Sequence, residues 1–186
     1  MNGTNVQPVL STPQRARILA YVLDDPERVA RVADAARELK MGKGLISSFF
    51  KLLLKQRIVL KKGKGIIPDL SNPTTRALKV LINLQRIDIR PLSKLSPIGI
   101  GLYGSLAKGT NTPRSDVDMW ITFSRTMPER DIALAQAALS RALGADVRLL
   151  VLDTQRLQSV RKDPTFYPAL VYSTLLLYGD PLEAIR

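Results

Sequence analysis

The sequence predicts an α+β chain in two parts, a helical first domain closed by a β-hairpin and a small α/β domain after it. Three observations predict it. The net charge of +12 is lopsided, with 18 basic and 7 acidic residues from Met1 to Leu95 but 10 and 9 from Ser96 to Arg186. Apolar residues recur at helical spacing up to Gln56, then give way to two short apolar runs around a basic, Gly-rich turn. From Ile98 onward the pattern becomes strand, Gly-Ser turn, short helix, loop and strand.

The elements of the first part follow in order. Thr12-Pro13 caps a helix carrying Ile18, Leu19, Val22 and Leu23, which Asp24-Asp25-Pro26 stops. A second helix places Val29, Val32, Ala33 and Ala36 on one face, with Gly42 marking its end. A third runs from about Lys43 to Gln56 with Ile46, Phe49, Phe50 and Leu53 inward. Its other side carries Lys43, Ser47, Ser48, Lys51 and Lys55. Ile58-Val59-Leu60, Lys61-Lys62-Gly63-Lys64-Gly65 and Ile66-Ile67 read as strand, turn and strand. Asn72-Pro73 opens a further helix with Ala77, Leu78, Leu81 and Ile82 apolar, ending near Asp88. Pro91 and Pro97 bracket a linking segment, which sets the expected domains at 1–92 and 93–186.

Composition limits the chemistry. With 45% hydrophobic residues, 186 residues can build packed cores. There is no Cys and no His, so disulfides, thiolate sites and imidazole catalysis are excluded. A metal site must be made of oxygens, which favours a hard ion such as Mg²⁺. No apolar run reaches the roughly 20 residues that span a bilayer, and Met1 to Gln7 is polar without a signal-peptide core. A cytoplasmic protein is expected.

Between Leu39 and Pro68 lie Lys40, Lys43, Lys51, Lys55, Arg57, Lys61, Lys62 and Lys64 with no acidic residue among them. Such a surface attracts a phosphate backbone. Three helices followed by a basic hairpin resemble a winged helix-turn-helix over residues 12 to 69. That resemblance implies DNA binding by the third helix (Lys43, Ser47, Ser48, Lys51, Lys55) and the hairpin (Lys61, Lys62, Lys64). RNA suits the same charge. Winged-helix proteins often dimerise, and a homodimer is an open expectation, although no coiled-coil repeat is present.

The second part carries the reaction chemistry. Ile98 to Tyr103 reads as a strand, followed by Gly104-Ser105, a short helix to Lys108, and a loop to Ser115-Asp116-Val117-Asp118-Met119-Trp120-Ile121. In a strand, Asp116 and Asp118 share one face about 7 Å apart while Val117, Met119 and Ile121 enter a core. Paired carboxylates hold hard divalent ions, and a Gly-Ser turn lets backbone amides approach a phosphate. The combination describes a phosphoryl- or nucleotidyl-transfer site.

Gly104-Ser105, ten residues, then Asp116-Val117-Asp118 strongly resembles the nucleotidyltransferase superfamily of DNA polymerase beta and kanamycin nucleotidyltransferase, including its minimal members. The resemblance covers about residues 96 to 182. It implies a mixed sheet, a third carboxylate at Asp146 on a later strand, and a helix from about Pro128 to Leu143 capped by Gly144. The tail Ser173 to Asp180 is similar to the end of minimal members. The implied roles are two Mg²⁺ ions held by Asp116, Asp118 and Asp146, and a nucleoside triphosphate such as ATP bound by Gly104, Ser105, Lys108 and Arg114. Minimal members often carry a basic residue directly after Gly-Ser, where this chain has Leu106. Arg148 shares the face of Asp146 in a regular strand, which makes it a salt-bridge partner there. The implied activity moves a nucleoside monophosphate to an acceptor hydroxyl on a protein or small molecule. Two alternatives accompany it. One is an antitoxin and regulator paired with a HEPN ribonuclease toxin; the other is a DNA-binding regulator with an inactive transferase fold.

Overall fold

The computed structural model describes residues 6–185. The polar start read at Met1 to Gln7 therefore lies outside the described residues except for Val6 and Gln7. The chain divides into two compact units, 1–82 and 83–186.

The first unit contains α1 (Pro13–Asp24), α2 (Val32–Leu39), α3 (Lys43–Lys55), the hairpin β1 (Val59–Lys62) and β2 (Gly65–Pro68), and most of α4 (Pro73–Arg86). The Thr12 side chain accepts a hydrogen bond from the Arg15 amide, and Pro13 sits in the first turn, as the capping pattern required. Ile18, Leu19, Ile46, Phe49, Leu53 and Ile58 fill the core.

Three readings of this unit need correction. The second helix begins at Val32, not Val29, because Ala30 exchanges backbone hydrogen bonds with Ile66 in both directions, at 2.8 and 3.0 Å. That bridge holds the preceding residues extended against the hairpin. Ala35 and Ala36 are buried while Ala33 is exposed, and the left-handed residue that ends α2 is Lys40 (φ 55°). Gly42 instead caps the start of α3. On α4, Thr75, Leu78, Lys79 and Ile82 form the buried face, whereas Ala77 and Leu81 are exposed. Buried Lys79 is accommodated because its ammonium donates to the carbonyls of Leu23 and Asp24. These are end carbonyls of α1, where the helix dipole favours a cation.

The second unit contains α5 (Arg90–Ser93), β3 (Gly99–Tyr103), α6 (Gly104–Lys108), β4 (Val117–Thr122), α7 (Glu129–Leu143), β5 (Val147–Leu152), α8 (Thr154–Arg161), α9 (Phe166–Tyr172) and β6 (Leu175–Gly179). Its four-stranded mixed sheet has the order β5-β4-β3-β6. β4 and β5 are parallel, and β3 is antiparallel to both β4 and β6. The segment read as a linker is packed structure here, with Leu92 of α5 fully buried. Gly144 ends α7 in the left-handed conformation.

Strand alternation sorts the sheet residues into two cores. Ile100, Leu102, Val117, Met119, Ile121 and Val147 join Leu92 of α5 and Leu139 of α7. Trp120 and Leu152 join Leu157 of α8, Leu170 of α9 and Leu182. Trp120 explains the glycine at 101. The two are register partners, and a Cβ at Gly101 would collide with the indole. The indole N–H donates to Thr174 Oγ1 at 2.6 Å, and that hydroxyl donates to the Leu102 carbonyl, which fixes the approach to β6.

Candidate active site

The sequence requires one end of the sheet to be polar, since Asp116, Asp118, Asp146 and Arg148 have the strand parity of Trp120 and Leu152. The structure meets that requirement. Tyr103 is the register partner of Asp118 on β4, and Asp118 is the register partner of Arg148 on β5. The row Tyr103–Asp118–Arg148 thus crosses three strands. Asp116 precedes β4, and Asp146 precedes β5. The Val117 amide donates to the Asp146 carbonyl at 2.8 Å, so the backbones at 116 and 146 run side by side.

Gly104 couples the acids to the Gly-Ser turn. Its φ is +72°, a conformation suited to glycine, and a Cβ there would collide with Asp118 Oδ2. The Asp118 carboxylate therefore lies directly on the Gly104 backbone, with Ser105 next along α6. Leu106 packs against the core. Lys108 and Arg114 are exposed. The following loop is held from α4, where Asn83 Nδ2 donates to the Leu106 carbonyl at 2.9 Å and to Asn111 Oδ1 at 2.8 Å. Asn83 and Tyr103 escaped the sequence reading. Tyr103 could have been found as the last strand residue before the turn, but the role of Asn83 depends on a contact across 28 residues.

Electrostatics make this sheet end demand positive charge. Burial pushes the Asp118 carboxyl above its ordinary range, Arg148 pulls it down, and Asp116 pushes it up. Burial and the Asp118 charge likewise raise the Tyr103 phenol, against the pull of Arg148. The Arg148 guanidinium pairs with Asp116 Oδ2 at 2.6 Å, a salt bridge of the kind its strand position suggested. The donor set is three carboxylates with no His or Cys, a set that fits a hard divalent cation. Among the described residues no three such side chains form a ready cation cage, and Arg148 supplies the positive charge at Asp116. A groove of about 710 Å³ lined by Pro91, Leu95, Leu134 and Ala138 lies elsewhere in this unit and contains none of these groups.

The candidate nucleic-acid residues sit on the first unit. Lys43, Ser48, Lys51 and Lys55 of α3 are exposed and Ser47 is half-buried. The Ser48 hydroxyl donates to the Leu45 carbonyl. Lys61, Lys62 and Lys64 are exposed at the hairpin tip, where Gly63 takes a positive φ.

Asp116 and Asp118 lie at one end of the sheet, with Asp118 against the Gly-Ser turn. Residues 87–167 match the family model for the nucleotidyltransferase domain, which supports a general nucleotidyltransferase role for the second unit. The chain is also similar to a solved structure from Sulfolobus solfataricus described provisionally as a nucleotidyltransferase. The two are 20% identical with a TM-score of 0.35, over 64% of this chain and 93% of the other. No curated protein matches the chain. Among the described residues no helix is long and apolar enough to cross a membrane.

Proposed function

We propose that the second unit transfers a nucleoside monophosphate from a nucleoside triphosphate to an acceptor hydroxyl, and that the first unit is a winged helix that binds DNA. The observation that carries the enzymatic reading is the seating of the Asp118 carboxylate on Gly104. It places an acid pair beside a turn whose backbone can approach phosphate. Asp116 and Asp118, with Asp146, would hold Mg²⁺, which supplies charge neutralisation for the transferring phosphate. Gly104 and Ser105 orient the outer phosphates, and exposed Lys108 and Arg114 offset their charge. Asp146 is exposed and next to Asp116 along the sheet edge, a place from which it can take the acceptor's proton. The oxygen–phosphorus bond to the acceptor forms as the bond to pyrophosphate breaks. Transfer demands the acceptor oxygen about 3 Å from phosphorus and in line with the leaving group. The open sheet end suits a protein hydroxyl or a small molecule.

The DNA-binding reading rests on the exposed lysines of α3 and the hairpin tip. Two experiments test the proposal. The chain is incubated with triphosphate labelled at the α-phosphate, together with lysate proteins, small molecules, DNA and RNA. Label on a protein or small molecule is expected; label on nucleic-acid ends alone would replace this acceptor class with a tailing activity. For DNA, filter binding across a salt series should show a log–log slope that falls by about 2.7 when Lys61, Lys62 and Lys64 become Ala, if all three neutralise phosphate. An unchanged slope would remove the hairpin from the interface.

A further inference from the structure

Arg148 occupies a place that the transfer reaction leaves unexplained. Its guanidinium lies 2.6 Å from Asp116 Oδ2, and its backbone pairs in register with Asp118. The same cation acts on Asp118 and on Tyr103. Its side chain is 68% exposed against 30% for that of Asp116, so the carboxylate is the settled partner and the guanidinium can swing into solvent. An exposed ion pair of this kind is weak. A divalent cation at Asp116 would face the guanidinium at close range, and two cations against one carboxylate oxygen repel.

We propose that Arg148 is a positioning residue that couples cation binding to nucleotide binding at this site. It holds Asp116 in place before a divalent cation arrives, gives the carboxylate up to the cation, and then meets the triphosphate. The inference rests on the assignment of Asp116 and Asp118 as cation ligands. Charge and shape support it. Asp116, Asp118 and Asp146 together carry three negative charges, and Arg148 cancels one of them, which weakens the hold on a cation in the absence of nucleotide. The planar guanidinium fork matches phosphate oxygens as well as it matches a carboxylate. Arg148 stands beside Asp118, whose carboxylate touches the Gly104 turn, so a phosphate at that turn lies near the freed side chain.

The test uses Mn²⁺ as the probe, titrated calorimetrically into the full chain without nucleotide. Arg148→Gln should tighten Mn²⁺ binding by roughly two- to fivefold, the range an exposed ion pair allows. Arg148→Lys, which keeps the charge, should stay near the wild type. With a non-hydrolysable triphosphate present, the wild type should gain more Mn²⁺ affinity than Arg148→Gln does. An Asp116→Asn, Asp118→Asn double variant marks the site. If the double variant loses Mn²⁺ while Arg148→Gln binds it no more tightly than the wild type, the coupling role is overturned and the cation site stands. If the double variant binds Mn²⁺ as well as the wild type does, the cation site falls and the coupling role with it.

Discussion

Replacing Gly104 with alanine separates backbone strain from damage to the site, because a second glycine provides the matched control. Gly104 and Gly144 have φ values of +72° and +62°. A residue with a Cβ costs about 1–2 kcal/mol in that conformation. For a chain of this size that corresponds to a fall of about 2–8 °C in Tm. A Cβ at Gly144 meets nothing within 4 Å, so Gly144→Ala should show the strain alone. At Gly104 the added methyl collides with the Asp118 carboxylate, which must move away from the turn. A displacement of about 1 Å at a reacting centre costs on the order of 100-fold in rate. Thermal melts and a labelled-triphosphate transfer assay should therefore agree on stability and diverge on activity. Both variants melt lower, and Gly104→Ala alone loses transfer. Wild-type transfer by Gly104→Ala, or an equal loss in Gly144→Ala, would refute the claim that contact between Asp118 and the turn builds the site.

Two further outcomes follow from buried charge. Burial, together with Asp116, raises the folded pKa of Asp118 above its unfolded value, so the penalty of holding it ionised is fully present above the folded pKa and vanishes below the unfolded one, about 3.9. Asp118→Asn should melt above the wild type near pH 7. The gap should close as the pH falls toward 4, and melting curves with no such gap would contradict the sign. Lys79→Met removes the ammonium that donates to the Leu23 and Asp24 carbonyls. Urea unfolding should report a loss of about 1–3 kcal/mol, and a neutral result would mean that the buried ammonium contributes nothing net.

Much of the fold is readable from local chemistry. Thr12-Pro13, Gly144 after Leu143, and the Lys-Gly turn at 61–65 each mark an element boundary through interactions within a few residues. The ten-residue spacing from Gly104-Ser105 to Asp116 likewise reads as turn, helix and strand because each step is local. What escaped the sequence is set by distant partners. The start of α2 was misplaced because Ala30 is held by Ile66, a bridge invisible to helical periodicity. Lys79 interrupts an apolar face unless the α1 carbonyls 55 and 56 residues away are known. Gly101 makes sense only opposite Trp120, and Gly99 only against the Asp180 carbonyl. Strand parity put Arg148 on the face of Asp146, and only the sheet register brought it onto Asp116.

In the proposed mechanism Asp116, Asp118 and the Gly104-Ser105 turn form one nucleotide site that depends on a divalent cation. Calorimetric titration of the full chain with ATP, in Mg²⁺ and again in EDTA, tests it most directly. Asp118→Asn is the companion variant, since its melting temperature near or above the wild type's would show that its fold is retained. Binding is expected in Mg²⁺ for the wild type and should be lost both in EDTA and in the variant. Equal binding in all three conditions would contradict the account.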